Sequence, residues 1–378
     1  MAQNAIRSNI FPGLIVILAL MLVSPAQVKS AEVTLEQKIG QMLILGFPGR
    51  SVSDEWPRHI HKMLKAGEIG GVILFERNIS SPKQVKKLNT YFKSASSDPV
   101  PFIAIDQEGG RVQRLHEGNG FFDTPSAENL GTKDPTFAAM AYQNMSRQLA
   151  RSGFNVNFGP VVDLNINKRN PIIAQKQRSY GSNPDRVIKY AQAFIAAHKE
   201  AGVLTAAKHF PGHGSSKADS HRGFTDVTKT WRENELKPYA YFAGTKSVDM
   251  IMVGHIYHPR FSSKPGEPAS LSSKAIKGEL RKKLKFSGLV ISDDMEMKAI
   301  TKYYGFDESI VSAIAAGNDL IIHSNHVKPD KNIAKRAIKA VLKAVRENRI
   351  SLNQIDESYL RIMRAKKKIS LMAANNGN

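Results

Sequence analysis

Short apolar runs rich in Val, Ile and Leu recur along the chain without alternating polar positions. Eight stand out, at residues 40–47, 69–75, 101–106, 156–164, 203–210, 250–256, 288–293 and 319–324. An unbroken apolar run of this length is what a parallel strand buried on both faces requires. Helix-like segments lie between them, among them residues 135–152, 184–201, 231–245 and 273–284, and a long C-terminal helix is expected over residues 352–374. Asn183 sets a capping side chain ahead of Pro184 at a first helical position, and Gly202 closes that helix. Eight strand–helix units in about 300 residues predict an α/β fold, a closed (β/α)8 barrel forming a single domain. A doubly wound open sheet is the alternative, but its glycine-rich phosphate turn is missing after the first run.

The first thirty residues follow a different pattern. Arg7 is the only charge ahead of an apolar stretch at residues 10–23, and small residues then lead to Ala31. This reads as a secretory signal peptide over residues 1–30, with Val28 and Ser30 at the positions read by the cleaving enzyme. An uncleaved membrane anchor is the alternative, although the stretch is short for a spanning helix. A catalytic domain is then expected over residues 31–374, with a polar tail at 375–378 and a location in the periplasm or outside the cell.

Composition narrows the classes. The 378 residues include 54 basic and 33 acidic side chains and no cysteine. Loss of residues 1–30 removes Arg7 and Lys29, leaving 52 basic and 33 acidic residues, a net charge of +19. The missing cysteine excludes a thiol nucleophile, a zinc–cysteine site and a lipid anchor on cysteine. The basic residues are scattered, with short runs at Arg281-Lys282-Lys283 and Lys366-Lys367-Lys368. No basic strip interleaved with aromatic residues is present, so nucleic acid is not an expected partner. An exported protein this basic would meet anionic wall polymers or headgroups, a matter of encounter and not of fold.

In a barrel of this type the reactive groups stand at the C-terminal ends of the strands and in the loops after them. The third run ends in Asp106-Gln107-Glu108-Gly109-Gly110-Arg111-Val112-Gln113-Arg114. These residues read as a polar clamp, with Asp106 accepting from sugar-like hydroxyls and Arg114 beside it. For Glu108 and Arg111 a structural salt bridge is an equal reading. The fifth run ends in Lys208-His209-Phe210-Pro211-Gly212-His213-Gly214 and its loop continues to Asp219-Ser220-His221. Gly212 and Gly214 are expected to make this loop pliable, so that it closes over a ligand. Asp219 and His221 converge where the loop turns, and a carboxylate beside an imidazole orients it for general acid/base work. A metal site built from His209, His213, His221 and an aspartate is the competing reading.

The seventh run ends in Ser292-Asp293-Asp294-Met295. Neighbours on a strand point to opposite sides, so one aspartate enters the barrel mouth while the other braces it. A carboxylate there suits a glycosidase nucleophile, with a helix cap as the alternative. Arg178 follows the fourth run and reaches toward the same end. His255 and His323 end the sixth and eighth runs, where structural and substrate-contacting roles are equal readings. His59, His61, His198 and His326 read as surface residues.

Together these blocks resemble glycoside hydrolase family 3, and more narrowly its bacterial β-N-acetylglucosaminidase branch. The matching blocks run from residues 105–114 through Phe158-Gly159-Pro160-Val161-Val162-Asp163, Arg178-Ser179-Tyr180-Gly181 and residues 208–221 to Ser292-Asp293-Asp294, in family order. The resemblance implies a barrel enzyme that works with retention through a covalent glycosyl intermediate, without metal or cofactor. It implies Asp293 as nucleophile and His221, assisted by Asp219, as acid/base. It implies Asp106, Arg114, Arg178, Lys208 and His209 as sugar-binding residues. The implied substrate is a small carbohydrate, a GlcNAc-containing oligosaccharide or muropeptide cut at its non-reducing end, and a monomer is expected. A different β-sugar, transfer to phosphate in place of water, a metal-dependent hydrolase and a non-catalytic wall-binding protein are the alternatives.

Overall fold

The computed structural model describes residues 1–3 and 33–375. The apolar stretch of the expected signal peptide, its cut site before Ala31 and the tail beyond Asn375 lie outside the described residues.

Eight parallel strands form the central sheet: β1 (Leu43–Leu45), β2 (Gly71–Leu74), β3 (Phe102–Ile105), β4 (Val156–Asn157), β5 (Leu204–Phe210), β6 (Met250–Val253), β7 (Leu289–Ser292) and β8 (Ile321–His323). Their order is β8-β1-β2-β3-β4-β5-β6-β7. A further parallel bridge between Ile291 and Leu320 joins β7 to β8 and closes the ring. The Ser292 amide seals it by donating to the Leu320 carbonyl at 3.0 Å. The fold is therefore the expected (β/α)8 barrel and not an open sheet. Each strand lies within one of the eight apolar runs and is shorter than it. The largest shortfall is β4, whose run continues through Gly159-Pro160. Proline has no N–H to give the ladder, so regular pairing stops there. The Pro160 carbonyl still accepts from the Lys208 amide at 3.1 Å, which keeps the chain against β5.

A helix follows every strand: Glu55–Ala66, Pro82–Lys93, Pro135–Arg151, Pro184–Glu200, Lys237–Thr245, Lys274–Lys283, Phe306–Ala316 and Ile333–Arg346. Ser81, Asp134 and Asn183 each cap a helix whose first position is proline, and each side chain accepts an orphan N–H of the first turn. The expected helix at 231–245 is divided. A 3₁₀ turn over Glu233–Leu236 precedes Lys237–Thr245, because Pro238 can occupy only a first turn. The segment expected as a helix at 273–284 winds in wide π-type turns, with the Leu284 amide donating to the Glu279 carbonyl five residues back. The last helix, Leu352–Asn375, extends one residue past the expected end.

One histidine departs from expectation. His198, read as a surface residue, is fully buried. It stands four residues after Phe194 on the same helix face, stacks on that ring at 4.0 Å, and meets the side-chain amide of Asn157 on β4 at 2.9 Å. Burial pulls its pKa down to about 4, so it is a neutral link between helix and strand.

The barrel floor is tied by one carboxylate. Buried Asp319 accepts from the Val290 amide (2.8 Å), Arg281 (2.5 Å), Ser358 (2.9 Å) and Arg361 (2.9 Å). It joins β7, the π-type segment and the C-terminal helix at one point. Replacing it by alanine strands two guanidinium groups. Asp319→Ala is expected to lower unfolding free energy by about 3–5 kcal/mol in urea titrations. The half-exposed partner of Arg361, Glu357, is a control whose alanine variant loses less than about 1 kcal/mol.

Candidate active site

The C-terminal strand ends surround a cleft of about 600 Å³, its open mouth included. Asp106, Arg114, Arg178, Lys208, His209, His221 and Asp293 all line it, together with Glu108. Asp219 stands behind His221. Phe75, Phe158, Met252 and Ile322 supply an apolar wall.

The centre of the cleft is a buried charge cluster. Strand β5 carries Lys208 to its C-terminal end, where Nζ lies 2.7 Å from Asp106 Oδ1 and 2.7 Å from Glu108 Oε1. Burial pushes the Lys208 pKa down, but the two carboxylates outweigh it and raise the value. Arg178 grips Glu108 with two parallel bonds, Nε at 2.7 Å and Nη2 at 2.8 Å. Burial would raise the Glu108 pKa, yet Arg178 and Lys208 hold it well below the usual carboxylate range. Glu108 is thus both a structural anchor and a cleft-lining group, while Arg111 is exposed. Arg114 approaches Asp106 only at 3.9 Å, and its Nε is buried with no protein acceptor.

Next to this cluster, His209 Nδ1 meets Asp163 Oδ2 at 2.7 Å, and Nε2 faces Arg178 Nη2 at 3.3 Å. Asp163 also accepts from the amides of His209 and His213. It was not among the candidate residues. In the sequence it is a lone acid at the end of the fourth apolar run and the last residue of the Phe158–Asp163 block, with no role assigned to it there.

The loop after β5 differs from expectation in where it is tight. Gly212 and Gly214 are both buried. A Cβ at Gly214 would lie 1.6 Å from the Leu164 carbonyl oxygen. At Gly212, where φ is +124°, a Cβ would lie 2.7 Å from the side chain of Glu235. These glycines serve close packing and not pliability. His213 reinforces this part, with Nδ1 at 2.8 Å from Ser216 Oγ and Nε2 at 3.1 Å from Ser220 Oγ. Burial lowers its pKa to about 4, leaving a neutral pin. Beyond Ser216 the segment mixes exposed Lys217 and His221 with part-buried Asp219 and buried Ser220.

There, His221 Nδ1 lies 2.8 Å from Asp219 Oδ1, which also accepts the His221 amide at 2.9 Å. The His221 side chain is 56% exposed and leaves Nε2 for the cleft. Burial alone would raise the Asp219 pKa, but the His221 amide and ring bring it below its ordinary value.

Strand β7 ends in the aspartate pair, and both line the cleft, whereas one alone was expected there. Asp293 turns to the cleft, where Oδ1 accepts the Asp294 amide at 2.9 Å. Burial would raise its pKa, but the charge that the rings of His209, His255 and His221 carry in acid, with the Asp294 amide, brings it down to about 2. Asp294 braces the turn by accepting from the amides of Ser324 (2.9 Å) and Glu296 (3.1 Å). His255 bridges Ser270 Oγ and the Asp294 carbonyl, and His323 Nδ1 accepts the Asn325 amide, so both take positioning roles. Among the described residues no three His, Asp or Glu side chains are grouped as a metal-ligand set.

A closed parallel barrel with acids, imidazoles and a cationic clamp at its C-terminal strand ends carries its polar groups where barrels of this kind hold their reactive residues. Residues 34–365 match the glycosyl hydrolase family 3 N-terminal domain, and the chain belongs to that family. It is 30% identical over 389 residues to beta-hexosaminidase A of Pseudoalteromonas piscicida, covering 93% of this chain and 64% of that one. It is 32% identical over 290 residues to a beta-hexosaminidase of Pseudomonas aeruginosa, covering 74% of this chain and 81% of the relative. A solved family 3 beta-N-acetylglucosaminidase from a Paenibacillus species superposes with a TM-score of 0.81 at 35% identity, over 89% of this chain and 63% of the other. The chain thus spans just under two thirds of the Pseudoalteromonas and Paenibacillus proteins.

The low pKa of Asp293 has a measurable consequence. A carboxylate whose folded value lies below the ordinary 3.8 favours the folded state when ionised. That contribution is complete above the ordinary range and is lost as pH falls toward about 2. The stability difference between the protein and Asp293→Asn is therefore expected to shift progressively as pH falls from ~5 toward 2. Urea unfolding at stepped pH reads this directly, and a difference independent of pH down to about 2 would contradict it.

Proposed function

We propose that the chain is a retaining, exo-acting β-N-acetylhexosaminidase that removes terminal β-linked GlcNAc from wall fragments or related glycans. The observation that carries this reading is the shared cleft: Asp293, His221 and the Lys208–Asp106–Arg114 clamp all face one cavity. The names of the relatives support the sugar assignment.

In the first step Asp293 forms a bond to the anomeric carbon as the glycosidic C–O bond breaks. The leaving oxygen takes the proton from His221 Nε2, while Asp219 on Nδ1 steadies the charged ring. In the second step water attacks the same carbon, gives a proton to Nε2, and Asp293 departs as a carboxylate. Asp293 is ionised throughout the neutral range, as a nucleophile must be. An imidazole–carboxylate pair here takes the place of the second carboxyl group used by most glycosidases. The unpaired Nε of Arg114 awaits a hydroxyl or acetamido oxygen, and Asp106 accepts hydroxyl protons. Because the His221 side chain is exposed at the rim of the cleft, we infer that closure over the sugar completes the site. Export through the N-terminal leader would set wall glycans as the substrate pool.

Nitrophenol release from the β-N-acetylglucosaminide tests the scheme, with the β-glucoside in parallel. Asp293→Asn is expected to lower kcat by a factor on the order of 10³ or more. For His221→Ala, kcat/KM on a disaccharide should fall by roughly 10²–10⁴-fold. It should fall far less on the nitrophenyl substrate, whose leaving group needs no proton. Chelator should leave the rates unchanged. Full activity in Asp293→Asn, or loss with chelator, would overturn the mechanism, and release from the glucoside alone would overturn the sugar.

A further inference from the structure

His221 marks one side of the cleft. In the scheme above its Nε2 hands a proton to the leaving oxygen, so the surface beside it receives the part of the substrate that departs. Three aromatic rings gather there. Phe224, three residues after His221, is 38% exposed, and Tyr303 is 59% exposed. The Phe224 ring centroid lies 5.4 Å from that of Tyr257 and 6.1 Å from that of Tyr303, tilted by 34° to the first and edge-on at 69° to the second. The rings come from three separate segments, after β5, after β6 and after β7. None of them is part of the cleft lining, whose apolar wall is Phe75, Phe158, Met252 and Ile322.

The cluster is coupled to the acid/base through the backbone. The Ser220 carbonyl accepts the Ala299 amide at 3.2 Å, which ties the loop after β5 to the segment that leads to Tyr303. On the other side, Thr225 and Asp226 pair in a short parallel ladder with Ile256 and Tyr257. Only residues 221–224 lie between these two ties. A displacement that brings His221 to the leaving oxygen therefore carries Phe224 with it. Lys302 reaches the same segment, since a Cβ at Gly223 would lie 3.7 Å from its Nζ. The Arg222 side chain is 89% exposed and approaches Asp219 only at 3.8 Å.

Ring surface left in water is unfavourable until something apolar covers it. Continuity with the cleft sets what that can be: whatever reaches these rings is covalently joined to the sugar held at Asp293. A pyranose fits. Its C–H face packs on an aromatic ring while its hydroxyls stay at the edge. The phenol groups of Tyr257 and Tyr303 and the cations of Arg222 and Lys302 supply donors for those hydroxyl oxygens. A small alcohol as leaving group would cover none of the rings.

We propose that Phe224, Tyr257 and Tyr303 form a subsite for the sugars of the leaving group, so that oligosaccharides are preferred over glycosides with a small departing part. The proposal rests on the hexosaminidase reading above, with His221 as its acid/base.

The test compares kcat/KM of the full chain on methyl β-N-acetylglucosaminide and on β-1,4-linked GlcNAc di- to tetrasaccharides. Both kinds of substrate place the same sugar at Asp293 and both need the proton from His221, but only the oligosaccharides put rings on the cluster. The readout is the ratio of oligosaccharide to methyl glycoside kcat/KM. In F224A/Y303A this ratio is expected to fall about tenfold, chiefly through KM. F224Y, which keeps a ring, is expected to retain it. Y303A alone, off the acid/base loop and checked by its thermal midpoint, separates a lost subsite from a lost fold. A ratio unchanged in the variants would overturn the subsite, whether both rates fall together or neither falls, and so would a parent with no preference for oligosaccharides. If the parent cleaves neither kind of substrate, the proposed reaction falls and the subsite with it. If it cleaves both and the ratio does not move, the subsite alone falls.

Discussion

The mouth of this barrel is organised around the ammonium group of Lys208, carried inside with 2% of its side chain exposed. An unpaired charge in that position would cost several kcal/mol. Two carboxylates from the end of β3 meet it at 2.7 Å, and the second of them, Glu108, is itself gripped by Arg178. Arg178 in turn faces His209, and His209 is held by Asp163. Each member compensates the next, so the loops after β3, β4 and β5 cannot shift independently. The polar groups proposed to meet a sugar are thereby fixed before any ligand arrives, which is the condition for electrostatic preorganisation.

Against this rigid half stands a segment built differently. The loop after β5 is one continuous stretch of sequence, but its physical character changes near Ser216. Before that point Gly212, His213 and Gly214 are locked against Leu164, Glu235 and two serines. After it, Asp219 and His221 hold mainly each other, while Ser220 between them stays tied to His213 and to the Ala299 amide. In the proposed reaction the nucleophile, Asp293, stands at the end of β7, and the proposed acid/base, His221, has 56% of its side chain exposed. That division suits a reaction in which the leaving group and water pass the same residue in turn.

The two ends of the barrel use charge in different ways. At the mouth, opposite charges are paired and buried. At the floor, Asp319 anchors two arginines inside while Lys246 and Arg364 remain outside without acids. Lys366 belongs to the floor although the family match ends at residue 365, so the last turns of the C-terminal helix are integral to this chain's own floor.

Much of the fold was legible because a parallel barrel strand is buried on both faces and must be apolar throughout. That requirement writes the eight runs directly into the sequence. The candidate site was legible for a related reason: Asp106, Lys208-His209 and Asp293 are polar residues at the very ends of apolar runs, where a scaffold has no use for them. Other features were hidden. Asp163 closes a recognisable block, but its hold on His209 shows only in three dimensions, and Glu108 could be assigned only once Arg178 and Lys208 were seen to share it. His198 looked like a surface histidine until its place on the face of Phe194 met Asn157 from another element. Gly212 and Gly214 suggested freedom, whereas the close approach of Leu164 and Glu235 makes them points of tight packing. The two basic runs looked like solvated faces, whereas Arg281 is tied to Asp319 and Lys366 is buried against Gln41 and Gly70. Local pattern determines which residues face the core, because that depends on each residue's own burial. Pairing between side chains far apart in the chain depends on the register in which the barrel closes, and only the tertiary structure decided it.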